Sequence, residues 1–204
     1  MRKYIYVTIG LLLLIIIVSI FYFMSQGPDV KKFEYLKTPA FSTKPSQKVL
    51  VVKAIGSPEV ITKNAYKVLF TTYYKMKGVP KYPTPAPLAR WNVEVNTPME
   101  NWEGHFAVPV PENITTVPDI KDKSGLKVEL ATWEYGNVAE ILYIGPYDKE
   151  MPTIEKLRNF IQENGFEIAG LHEEEYLKGP SPFWPTNPNK YMTIIRYQVK
   201  KQVK

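Results

Sequence analysis

The chain has 204 residues, of which 45% are apolar and 23% charged, and a formal net charge of +6 at pH 7. This composition fits a folded domain and excludes a disordered tail or a fibrous repeat. It contains no cysteine and only two histidines, His105 and His172. Disulfides, thiolate metal sites, a cysteine nucleophile and a three-histidine metal centre are therefore excluded, and neither a metal site nor a cofactor is expected.

The first expected element is a membrane anchor. Tyr4 to Met24 carries no charge and contains the run Leu11-Leu12-Leu13-Leu14-Ile15-Ile16-Ile17-Val18. As a helix, at about 1.5 Å per residue, it would span the roughly 30 Å hydrocarbon layer. Phe21-Tyr22-Phe23-Met24 is a poor cleavage site for a signal peptide. Residues 1–26 thus read as an uncleaved single-pass anchor, with the membrane as a partner. Arg2 and Lys3 before it, against Lys31, Lys32 and Lys37 after it, leave the side of the remaining domain open. Residues 27–46, punctuated by Pro28, Pro39 and Pro45, read as a linker or lead-in strand.

The remaining domain is expected over 47–204. Lys48 to Ile55 is β-branched and apolar, which favours a strand. Ser57-Pro58 then reads as an N-cap with proline at the first helical position. Ile61, Ala65, Val68, Leu69 and Met76 recur at helical spacing, so a helix is predicted over 58–77 with Gly78 as its stop. After a proline-rich loop, strands are expected at 89–95 and 102–110.

The second half repeats this order. Strands are expected at 128–133 and 138–144, a helix at 152–163 ending at Asn164-Gly165, then strands at 166–171 and 191–199. Ala54-Ile55-Gly56-Ser57-Pro58 aligns with Tyr143-Ile144-Gly145-Pro146-Tyr147. The predicted fold class is α+β. Two strand-helix-strand-strand repeats, about 47–111 and 127–200, would be related by a pseudo-twofold axis with a cleft between them.

The ordered set Ala139, Ile144-Gly145-Pro146-Tyr147, Leu157, Phe160-Ile161, Asn164-Gly165-Phe166, Ala169-Gly170 and Glu175-Tyr176-Leu177 resembles the GyrI-like effector-binding domain. That module forms the ligand-binding part of AraC-type and MerR-type multidrug regulators. The resemblance covers about 128–199; the first half joins it through repeat logic and Gly104-His105-Phe106-Ala107-Val108-Pro109. It implies a small-molecule cleft, often one for hydrophobic cations. Some family members are similar to hydrolases of strained cyclopropane compounds, and a membrane-anchored relative resembles an autophagy adaptor. No regulator DNA-binding domain is seen, so a transcription factor is excluded and no nucleic-acid partner is expected.

The resemblance also nominates site residues. Tyr147 and Tyr176 fall on motif positions, and Trp184 reads as a rim over the cleft. The family's last strand carries Thr-Glu-Ile, whose glutamate pairs with cationic ligands; here Thr193, Ile194 and Ile195 stand in its place. Strand alternation puts Arg196 on the face of Ile194. In the first half, His105 takes the matching position, with Glu103 on its face. Placing Ile194 and Arg196 in the cleft would favour neutral or anionic ligands over cations. Glu173-Glu174-Glu175 reads as a solvated acidic run.

No Gly-x-Ser-x-Gly, phosphate loop or His-Glu-x-x-His motif is present, and no catalytic residue is assigned. The leading expectation is a membrane-anchored binding protein for a small amphipathic or xenobiotic-like molecule. The alternatives are a hydrolase of strained cyclopropane-type compounds and a membrane-tethered adaptor with no ligand.

Overall fold

A computed structural model of the chain describes Tyr6 and residues 9–16, 18–19, 30–93, 97–120, 124–181 and 185–202. The chain divides into Met1–Lys32 and Phe33–Lys204. In the first unit, residues 9–16 are helical and exposed. Among the described residues no helix is long and apolar enough to cross a membrane. The expected single-pass anchor over 4–24 is corrected accordingly. Residues 4–5, 7–8, 17 and 20–24 of that stretch lie outside the described residues.

The second unit is built on one antiparallel sheet. Its strands are β1 (Ala40–Lys44), β2 (Gln47–Ile55), β3 (Leu88–Asn92), β4 (Glu103–Pro109), β5 (Glu129–Trp133), β6 (Gly136–Ile144), β7 (Phe166–Ile168), β8 (His172–Lys178) and β9 (Met192–Lys201). Two helices, α1 (Pro58–Lys75) and α2 (Met151–Glu163), complete it. The strand order is β1-β6-β9-β8-β3-β4-β2-β5, with β7 added beside β9. Each half therefore orders its strands alike, β3-β4-β2 and β8-β9-β6. The halves meet at the β3–β8 pair, where Leu88 to Trp91 oppose Glu175 to His172.

The two halves also share their strand-to-helix turns. Gly56, with φ 146°, donates its N–H to the Trp102 carbonyl; Gly145, with φ 153°, donates to the Tyr191 carbonyl. Side chains rarely adopt such φ values. A Cβ on Gly145 would also lie 2.5 Å from the Tyr143 hydroxyl, and one on Gly56 2.9 Å from Ile61 Cγ2. Proline starts α1 as the sequence predicts, but the Ser57 side chain makes no capping bond; the Ser57 carbonyl accepts from Val60 and Ile61 instead.

Register shows that both helices cover the same face. Ile61, Ala65, Leu69 and Tyr73 of α1 pack with Leu50, Val52, Phe106 and Ala89. Ile154, Leu157 and Ile161 of α2 pack with Ile141, Ile195 and Tyr197. Each such aliphatic burial stabilises the fold by about 1.5–3 kcal/mol. Glu174 lies directly opposite Ala89 on one side and Ile195 on the other. Residues opposite one another share a face, so Ala89, Glu174 and Ile195 form one row running from the core of α1 to the core of α2. The middle strands β3 and β8 thus floor the gap between the helices.

The strand reading needs one substantive change. The strand expected at 166–171 ends at Ile168, and β8 follows at once. The run Glu173-Glu174-Glu175 is therefore not a solvated stretch: Glu173 is 2% and Glu174 5% exposed. Of the two readings for 27–46, linker or lead-in strand, residues 40–44 take the second and pair with β6 as β1.

Candidate functional site

The two faces of the central strands carry different chemistry. On the face away from the helices lies a buried ion network centred on Arg196, which is 2% exposed. Its Nε donates to Glu140 Oε1 at 2.6 Å and its Nη2 to Glu175 Oε2 at 2.8 Å. Its Nη1 donates to Glu173 Oε1. Glu173 also accepts from Arg90 Nε at 2.7 Å and from the Tyr135 hydroxyl at 3.1 Å, and Glu140 accepts from Ser42 at 2.6 Å. Burial opposes the Arg196 charge, but Glu173, Glu175 and Glu140 outweigh it and hold the guanidinium above its ordinary value. Carboxylates on two neighbouring strands take one donor from each nitrogen of Arg196, so this network is a structural clasp between β6, β8 and β9.

On the helix-bearing face, β8 presents His172, Glu174 and Tyr176. Tyr66 from α1 stands 6.1 Å from Tyr176, ring centroid to centroid, and Tyr147 stands 5.5 Å from Tyr176 on the other side. Tyr191 lies 5.3 Å beyond Tyr147. Three of these tyrosines report the acidic floor. Burial raises the pKa of Tyr66, Tyr147 and Tyr176, and the Glu174 charge raises each further. These half-buried rings and the buried carboxylate line the gap between α1 and α2 over β3 and β8, the position of the expected cleft.

Glu150, the residue before α2, closes one end. One of its carboxylate oxygens is buried without a hydrogen-bond partner. Burial, and then the Glu174 charge, push its carboxyl well above the ordinary carboxylate range. His172 bridges the group: one ring nitrogen lies 3.0 Å from Glu174 Oε1 and the other 2.9 Å from the Tyr197 hydroxyl. Arg158 of α2 donates to that same hydroxyl at 3.1 Å. On β9, Thr193 faces the cleft beside Tyr143 and Tyr176, with its hydroxyl fully buried and unpartnered.

The residues named from sequence separate between these faces. Tyr147 and Tyr176 are both in the cleft. Ile194 packs against Leu36, Leu142 and Met192 on the far face, and Arg196 belongs to the ion network there. Glu103 and His105 pair with each other at 2.8 Å. His105 lies opposite Lys53 and Arg90, so it too is on the far face. The His105 hydrogen bond, then that from Asn92, lowers the Glu103 pKa. Trp184 lies outside the described residues. The alternation that grouped Ile194 with Arg196 holds, but it groups them away from the helices. The carboxylate on the helix-bearing face is Glu174 of β8.

Sequence reasoning left out Tyr66, Glu150, His172 and Glu174. A signal for the last two existed: His172 to Tyr176 alternates between two polar sets, and a strand between two cationic neighbours can bury such sets.

Two surface hollows of about 470 Å³ lie elsewhere. One, near Gly56, is bordered by Lys53, Val60, Asn64 and Glu103; the other borders α2 near Lys156 and Glu163. Neither gathers the convergent polar and aromatic groups that mark a ligand site.

No protein-family model matches the sequence, and no curated protein does. The fold has clear counterparts among solved structures. An uncharacterized conserved protein from Listeria innocua superposes with a TM-score of 0.69 at 22% identity, covering 84% of this chain and 97% of its own. A hydrolase from Listeria innocua gives 0.64 at 20% identity, covering 80% and 92%. The EcmrR C-terminal domain gives 0.59 at 16% identity, covering 81% and 98%. These likenesses fit a GyrI-like fold.

Proposed function

We propose that the chain binds small amphipathic organic cations in the cleft between α1 and α2, and that two strand-helix-strand-strand repeats related by a pseudo-twofold axis build that cleft. The observation that carries this reading is Glu174. It is 5% exposed, sits midway between the two helix cores and is walled by Tyr66, Tyr147 and Tyr176. A buried carboxylate attracts a cation more strongly than an exposed one, and tyrosine faces add cation–π attraction. The sequence expectation of neutral or anionic ligands rested on Arg196 in the cleft, and Arg196 is committed to three carboxylates on the far face.

The test is a titration with tetraphenylphosphonium and tetraphenylborate, which share shape and differ in charge. The cation should bind and the anion should not. Glu174→Gln should weaken the cation by about two to three powers of ten or more, the roughly 3–5 kcal/mol cost of removing one partner of a buried charge pair. Equal affinity for both ions, or a cation affinity untouched by Glu174→Gln, would sink the proposal.

Hydrolysis of a strained ring is the second reading. Two carboxylates and a tyrosine hydroxyl converge in a half-buried cleft, which is the equipment for acid–base work. Turnover of a cyclopropane-bearing compound, lost in both Glu174→Gln and Glu150→Gln, would establish it; no turnover across a panel of such compounds would dismiss it.

A further inference from the structure

We infer that Glu150, His172 and Glu174 form a binding site for a divalent first-row transition metal ion. Each offers one ligand atom, and these atoms all lie within 4.8 Å of one another. The donors come from two elements, the start of α2 and β8, so the site is assembled by the tertiary fold and not by a local acidic run. One imidazole and two carboxylates are a donor set that suits zinc, manganese or iron, and three protein ligands leave positions open for water or a small molecule.

Three further observations point the same way. The buried Glu150 oxygen has no partner within the protein, and a buried carboxylate oxygen normally has one. The second nitrogen of His172 is held by the Tyr197 hydroxyl, itself fixed by Arg158. A ligating histidine is commonly oriented through its other nitrogen in this way. Finally, metal binding displaces protons from its ligands, and the ligating form of this set, two carboxylates and one imidazole, carries a formal charge of −2 that a divalent ion neutralises. Ligation replaces the present bond between His172 and Glu174. It also draws the three donors together from within 4.8 Å of one another to metal–ligand distances near 2.1 Å. The floor, on β8, is rigidly paired on both sides.

This site shares Glu174 with the proposed organic-cation cleft, so the two cations compete. The metal site does not depend on that reading, because the probe is the metal alone. Co²⁺ is added to the full-length chain and followed by its visible absorption and by X-ray absorption at the cobalt edge. The expected result is one ion per chain, with one imidazole and otherwise oxygen ligands. His172→Asn and Glu150→Gln should abolish the bands, and the exposed Glu59→Gln should leave them unchanged. Tyr197→Phe touches no metal and should weaken binding about 10- to 100-fold. Circular dichroism checks that each variant is folded; the ligand count on the unaltered chain decides the matter if one is not. Absence of cobalt bands, a ligand shell without imidazole, or bands that survive in a folded His172→Asn or Glu150→Gln chain would overturn the inference. Competition with tetraphenylphosphonium is read separately: the metal result stands or falls whether or not that cation binds.

Discussion

Replacing Arg196 by methionine removes a cation that touches Glu140, Glu173 and Glu175 together. Methionine fills much of the volume, so the main loss is electrostatic. Breaking a buried pair by deleting one partner costs about 3–5 kcal/mol, because the remaining charge stays desolvated. Here Glu173 keeps Arg90 and Tyr135, and Glu140 keeps Ser42. Glu175 is the most exposed of the three, its side chain 22% accessible. These residual partners hold the loss near the lower end, about 3 kcal/mol. For a unit of this size that is a fall in Tm of about 6–12 °C. Thermal melts followed by circular dichroism read it directly. A triple variant, Arg196→Met with Glu140→Gln and Glu175→Gln, should recover most of the loss, because Glu173 keeps Arg90 and the other two buried charges are gone. An Arg196→Met melt within a degree or two of the parent would refute the network's structural role. A triple variant no better than the single one would show that packing, not charge, sets the cost.

Three other outcomes follow from the geometry. Gly145→Ala meets both a φ of 153° and the Tyr143 hydroxyl, and should destabilise the unit by about 1–3 kcal/mol in urea melts. Gly56→Ala, at φ 146°, should cost a similar amount; a neutral result at both would break the equivalence of the two turns. Glu103 should titrate below an ordinary glutamate, because His105 and Asn92 hydrogen-bond its charged form. That contribution is present above the unfolded pKa and is lost as the pH falls through the folded one. NMR titration should show the Glu103 midpoint rising in His105→Ala.

Much of the scaffold is written in local sequence. Proline at the start of each helix, glycine at φ near 150° before each helical segment, and the Ile154, Leu157, Ile161 stripe are short-range signals that sequence exposes. So is the alternation of Met192, Ile194 and Arg196. What alternation cannot say is which face the helices will cover. That is set by how β8 joins β3 and β9, a long-range pairing with no local mark. Three adjacent glutamates read as a solvated run because carboxylates are seldom buried alone. They are buried because Arg196 and Arg90 arrive from other strands on one side, and because Glu174 faces the cleft on the other. The cleft's four overlooked residues, Tyr66, Glu150, His172 and Glu174, come together only through that pairing. For the apolar stretch over 4–24, composition and length alone pointed to a membrane span, and no described helix there is long enough to make one.

The most direct test of the cleft is a crystal structure of the chain with tetraphenylphosphonium. The account predicts the cation between α1 and α2, its phenyl rings against Tyr66, Tyr147 and Tyr176 and its charge nearest Glu174. Density on the opposite face, beside Glu103 and His105 or against the Arg196 network, or a cleft that stays closed around its own tyrosines at saturating cation, would contradict it.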